Sequence, residues 1–176
     1  MDASLERLRP NGAMTWFYSD PHVDHQKIRT EALVERFVGE HNAFVRPNDR
    51  SICLGDFALG EAGLAVSLRL NGQREIILGN HDVHGWQLYS IYFQKLHGFL
   101  ELAGLAFTHL PIAPWSMRWR ANVHGHSHLA RPMFYTASNP EVDGRQAPTK
   151  YINISVERTN YRPVSLEMVS AWADRF

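Results

Sequence analysis

Three times within its first 82 residues the chain runs through an apolar stretch into Gly or Ser and then into a residue of metal-ligating type. The stretch "AMTWFYSD" ends at Asp20, "RSICLGD" at Asp56, and "REIILGNHD" at Asn80, His81 and Asp82. Each has the length and β-branched or aromatic content of a buried strand. The connections read as helices. In "HQKIRTEALVERFVGEHNAF", Ile28, Leu33, Val34, Phe37 and Val38 recur near helical spacing, and "AGLAVSLRLNG" is a shorter helix closed by Asn71 and Gly72. A β-α-β-α-β order predicts a largely parallel sheet, and the carboxyl ends of such strands open onto one crevice where ligands collect. The three polar clusters are therefore expected to converge.

The second half is built differently. "FLELAGLAFTHLP" reads as two short strands joined by a turn at Ala103 and Gly104, delivering His109. "RANVHGHSH" is a strand ending in Gly125, His126, Ser127 and His128, and "KYINISVERT" is a long alternating strand. "PVSLEMVSAWADRF" predicts a closing helix with Ser165 as its cap. Late strands without long crossovers imply a second, more mixed sheet packed on the first. The segment 130–150, rich in Pro, Gly, Ser and Asn, is expected to be a long surface loop.

With 176 residues and 44% hydrophobic content the chain is read as one domain, 1–176. Its 18 basic and 18 acidic residues cancel, so the overall charge steers it toward neither nucleic acid nor an anionic membrane. Any phosphate-bearing partner has to be attracted locally. The single cysteine, Cys53, lies in "SICLG" and is expected to be a small core residue in a reducing compartment. The opening "MDASLERLRPNG" is unlike a signal peptide and no long apolar run follows, which makes the cytoplasm the expected location and no membrane the expected partner. Ten histidines are many for this length. His41, His84 and His97 fit ordinary half-buried rings; the others follow predicted strands.

Taken in order, the polar clusters are D-x-H at Asp20 and His22, G-D at Gly55 and Asp56, G-N-H-D from Gly79 to Asp82, a lone His109, and G-H-x-H from Gly125 to His128. In this order and at these separations the chain resembles the calcineurin-like metallophosphoesterase family, over residues 20 to 128. The resemblance implies an α/β fold, the metallophosphoesterase-type αββα sandwich of two mixed β-sheets flanked by helices. It implies that Asp20, His22 and His128 hold one divalent ion, that Asn80, His109 and His126 hold a second, and that Asp56 bridges them. Imidazole, carboxylate and amide donors together suit manganese, taken first, with iron, zinc, nickel or cobalt as alternatives. Such a pair grips a phosphoryl group and activates a water, so the implied reaction is phosphodiester hydrolysis by a metal-bridging hydroxide. Two dications against Asp20, Asp56 and that hydroxide leave one net positive charge in the crevice, and the neutral amide of Asn80 preserves it. By the same resemblance His81 contacts the phosphate and protonates the departing oxygen, while Asp82 fixes its tautomer.

Two departures narrow the class. Family members acting on phosphoproteins follow G-D with D-R-G and place an arginine before G-N-H; here the sequence is "GDFALG" and "LGNHD". Without those guanidiniums a singly charged, small or nucleotide-type diester is the expected substrate, although Arg118, Arg120 or Arg131 remain candidates to reach in from loops. The alternatives are a nuclease, with Trp115, Arg118, Trp119 and Arg120 forming a stacking groove, a phosphomonoesterase, and, less favoured, a non-catalytic module. His25 is read as lining the substrate pocket or as a surface residue of the first helical turn. Asp24 is read as the cap of that helix, and Pro21 as a stiffener of the turn between the first two ligands.

Overall fold

The computed structural model describes residues 12–138 and 148–175. Two five-stranded mixed sheets lie against each other. The first has the order β10-β1-β2-β3-β4 and the second β5-β6-β7-β9-β8. In the first, β1 (Thr15–Tyr18), β2 (Arg50–Cys53), β3 (Gln73–Ile77) and β4 (Lys95–His97) run parallel, and β10 (Val164–Ser165) adds an antiparallel edge. In the second, β6 (Leu105–Thr108), β7 (Asn122–His124) and β9 (Thr149–Asn153) are parallel, flanked antiparallel by β5 (Leu100–Leu102) and β8 (Phe134–Ala137).

Strand alternation sorts the core into two layers. Phe17, Ile52 and Ile77 face the second sheet, where they meet Leu105, Phe107, Val123 and Ile152. The Phe17 and Phe107 rings stack there with centroids 4.1 Å apart. The other face, with Tyr18, Cys53 and Ile76, packs on Phe37 and Val38 of α1 (Glu31–Phe44), on Leu64 of α2 (Glu61–Ala65), and on Tyr89 and Tyr92 of α3 (Trp86–Tyr92). Helix α4 (Leu166–Arg175) contributes Leu166, Val169 and Ala173 to the inter-sheet layer. It covers the end where β6, β7 and β9 begin: Lys150 Nζ donates to Ala173 O, and Arg120 bonds both Ser170 and Asp174. The opposite end, where the parallel strands finish, is left for the loops.

Most of the expected elements are present. Ala103 and Gly104 form the β5–β6 turn with φ of 51° and 68°, and Ser165 Oγ caps α4 by accepting from Met168 N at 3.2 Å. Cys53 is fully buried. Four readings are corrected. Helix α1 starts at Glu31 with Thr30 as its cap, so Asp24 and His25 precede it. Asp24 instead accepts from Leu59 N and Gly60 N at 2.6 and 2.7 Å, tying the first ligand loop to the entry of α2. The strand in "KYINISVERT" ends at Asn153, because Ser155 to Tyr161 turn back over the first sheet. Residues 134–137 of the expected loop form β8 by pairing with β9. The rest of that loop, 139–147, and the opening stretch 1–11 lie outside the described residues.

Truncating Phe107 to Ala removes one half of the inter-sheet stack and leaves a cavity that neither sheet can close alone. It is expected to cost about 3–5 kcal/mol, read from urea unfolding followed by circular dichroism.

Candidate metal centre

The loops that follow β1, β2, β3, β6 and β7 meet beyond the carboxyl ends of the strands, and hydrogen bonds extend the sheet pattern into them. Asp20 N donates to Gly55 O, His22 N to Asp56 O, and Gly125 N to His109 O, each at 3.1 Å. The two sheets are joined beside the crevice by Val156 N donating to Ser19 O. Five of the converging residues, Asp20, His22, Asp56, His126 and His128, have φ between 38° and 63°. Side chains other than glycine rarely occupy that region, and clusters of such residues occur where function dictates conformation. Close packing explains the glycine in front of His126: a Cβ on Gly125 would lie 1.9 Å from Ser19 Oγ and 2.3 Å from Asp20 Oδ2.

Two groups of donor atoms result, each within 4.8 Å: Asp20 with His22 and His128, and Asp56 with His109 and His126. Asp56 lies between them. Its Oδ2 is 3.6 Å from His22 Nε2 in one group and 3.3 Å from His109 Nε2 in the other, while its Oδ1 accepts from His81 N. Asn80 joins the second group, with Oδ1 2.9 Å from His109 Nε2. All seven residues assigned to metal by sequence thus lie around one crevice. Both carboxylates are buried, at 0% and 2% exposure for Asp20 and Asp56. Buried carboxylates are compensated by hydrogen bonds or by a cation, and the donor set fits a pair of divalent metal ions.

The surroundings prepare the donors. His109 Nδ1 is 2.8 Å from Leu54 O, which fixes that nitrogen as the donor and leaves Nε2 free to ligate. Burial lowers the His22 pKa to about 4, keeping the ring neutral as ligation needs. Burial raises the Asp20 carboxyl. It also pushes up Asp56, but the hydrogen bond and charge of His109 outweigh it and leave that carboxyl below its ordinary value.

His81 stands exposed at the rim with its ring 5.5 Å from that of His22. His25 is half-buried with its ring 6.1 Å from His22, on the same side. Asp82 is used differently from expectation. Its oxygens accept from the main-chain N–H of Asp56, Phe57 and Gly79, so it locks the second ligand loop to the third from beneath. Arg120 lies at the far end on Asp174, Trp119 bonds Glu101, and Arg131 covers the Tyr135 ring, all turned away from the ligands. His41, His84 and His97 take structural partners in Asn71 O, Leu59 O and Glu75.

Two supporting residues were not singled out from the sequence. Glu157 lies 3.1 Å from His128 Nδ1, which turns Nε2 toward Asp20 at 3.8 Å. Buried Arg29 pairs with Glu157 and donates to the carbonyls of Asp20 and Pro21. Burial pushes the Glu157 carboxyl up, but the bond to His128 and the Arg29 charge hold it at about 2.

No protein-family model matches the chain. A protein of Methanocaldococcus jannaschii described as uncharacterized is 29% identical over 168 residues, 88% of each chain. Among solved structures, a protein of unknown function from Aquifex aeolicus superposes with a TM-score of 0.68 at 20% identity, covering 91% of this chain and 99% of that one. A novel archaeal phosphodiesterase gives 0.47 at 20% identity, covering 86% and 99%. The Aquifex protein shares the fold. No helix among the described residues is long and apolar enough to cross a membrane.

Replacing Glu157 with Gln leaves His128 without its carboxylate partner. Metal affinity is expected to fall about 10- to 100-fold, measured by calorimetric titration with Mn²⁺; melting in chelator separates this loss from unfolding.

Proposed function

We propose that this protein is a two-metal phosphodiesterase. The observation that carries the reading is the position of the Asp56 carboxylate, one oxygen of which lies within 3.6 Å of donors in both groups. The chemistry supplied by a bound pair of divalent ions is polarisation of phosphoryl oxygens and acidification of a water. Asp20, His22 and His128 would hold one ion, Asn80, His109 and His126 the other, and Asp56 both. Manganese is the first choice, with iron, zinc, nickel or cobalt alternatives for the same donors.

The chain's own residues account for the rest. Asn80 brings an oxygen donor without a charge, which preserves a positive surplus where the phosphate binds. His81, held at the rim by its main-chain bond to Asp56 Oδ1, donates a ring proton to the departing ester oxygen and prevents an alkoxide from leaving uncapped. His25, on the same side through its contact with His22, lines the space for the departing group. The diester preference follows from the arginines. Arg120 and Arg131 point elsewhere, so the site has no guanidinium from them to match the second charge of a monoester.

In the presence of Mn²⁺, hydrolysis of bis(p-nitrophenyl) phosphate is expected to exceed that of p-nitrophenyl phosphate, and chelator is expected to abolish both. Dominant monoester turnover would overturn the diester assignment; resistance to chelator would remove the metal mechanism.

His81→Ala is expected to keep two ions bound while lowering turnover of an alkyl or ribose diester by about 10² to 10⁴. A nitrophenyl diester, whose leaving group departs readily without a proton, should suffer little. His109→Ala should instead lower occupancy of the second ion and slow both substrates alike. Metal content by mass spectrometry beside rates on the two diesters separates the roles, and loss of an ion from His81→Ala would make it a ligand.

A further inference from the structure

A cavity of about 360 Å³ opens beside the second donor group, at the lower end of the size range for small-molecule sites. It is walled by Ile77, Leu78, Gly98, Thr108 and Leu110, and shares Asn80 and His109 with the metal centre. It lies between the ends of β3 and β6, beside Gly98 and Phe99, where the chain crosses from the first sheet to the second. None of its lining residues is Lys, Arg, Asp or Glu. Its one hydroxyl is already engaged: Thr108 Oγ1 donates to Leu110 O at 2.6 Å and accepts from Asn122 Nδ2 at 2.9 Å.

From this wall we infer that the cavity is the subsite for one ester substituent of the phosphodiester, and that this substituent is an uncharged group of about nucleoside size. The inference rests on the phosphodiesterase reading and specifies its substrate. A phosphate held between the two donor groups has two directions in which its ester groups can point. His81 and His25 stand on the His22 side, which is where the departing oxygen receives its proton. The cavity lies on the His109 side and therefore receives the substituent that stays on phosphorus. A second phosphate placed there, as in a diphosphate or a phosphorylated oligonucleotide, would lie against Ile77, Leu78 and Leu110 with no lysine or arginine in the lining to pair it. A neutral ring system carries no net charge to desolvate there and gains apolar contact.

Gly98 provides the means to close the subsite. A Cβ added there meets nothing within 4 Å, and the backbone is outside the left-handed region, so a larger side chain is placed without strain. The experiment compares thymidine 5′-(p-nitrophenyl phosphate) with methyl p-nitrophenyl phosphate, which share a leaving group and differ only in the group that stays. The wild type should prefer the thymidine ester, and in Gly98→Phe the ratio of the two kcat/KM values should fall by about tenfold or more. Leu110→Asp, at a residue 51% exposed and so tolerant of change, should lower the same ratio even if the first variant fails to fold. Independently of metal and turnover, thymidine titrated into the metal-free protein should shift the amide resonances of Gly98 and Leu110, and this response should vanish in Gly98→Phe. An unchanged ratio in both variants, or no shift at those amides, overturns the subsite. If the Mn²⁺-loaded wild type hydrolyses neither ester, the phosphodiesterase reading fails, and the thymidine titration still decides whether the cavity binds the group.

Discussion

Two buried carboxylates, Asp20 and Asp56, face a common space among four imidazoles, and the arginine nearest to them meets main-chain carbonyls instead of their oxygens. Burying such charge costs several kcal/mol per group unless a cation or a set of hydrogen bonds compensates. The compensation within the chain is partial. Asp20 accepts from His126 N, yet burial still holds its carboxyl above the ordinary range. Added positive charge between the two donor groups would supply the rest, and the surrounding loop-to-loop bonds keep the arrangement from relaxing.

That constraint explains where stability and strain are located. Both apolar layers run the length of the parallel strands, and α4 covers the end away from the ligands. The loops of the candidate metal centre carry unfavourable backbone conformations, five at positive φ, but the N–H groups of Asp20, His22, Asp56 and His126 are bonded to neighbouring loops. Asp82 is the clearest case: one carboxylate accepts from Asp56, Phe57 and Gly79 and so fixes two loops at once. An acidic residue next to His81 thus contributes through the backbone of the ligands rather than through that ring.

The candidate ligands were legible because each follows a strand end, and a strand end in a parallel sheet has one destination. The spacing of "GD", "GNHD" and "GHSH" survives folding because each motif is a single turn. What was not legible depends on distance along the chain. Glu157 and Arg29 are 128 residues apart, and neither sits in a motif; only the turn after Asn153 brings Glu157 onto His128. Asp24 was misread for a similar reason, since helix-start chemistry predicts a cap on the helix that follows, whereas its partners are the amides of Leu59 and Gly60. The strand at 134–137, Phe-Tyr-Thr-Ala, has strand-forming residues but is only four long and was hidden by the Pro-, Gly- and Asn-containing sequence on either side.

The neutral net charge now has a structural counterpart. Arg50 pairs with Glu75, Arg69 with Glu35, Arg120 with Asp174 and Arg162 with Glu40, all away from the ligands. Arg29 and Arg158 do reach the ligand loops, but from behind. Arg29 meets the carbonyls of Asp20 and Pro21 and the carboxylate of Glu157, and Arg158 meets the carbonyls of His128 and Leu129. Their guanidiniums organise the loops and face away from the crevice. Within the two donor groups Asp20 and Asp56 contribute negative charge and Asn80 contributes none. On the proposed reading, two divalent ions and a bridging hydroxide set against those two carboxylates would leave a surplus that matches a single phosphate charge, as the diester assignment needs.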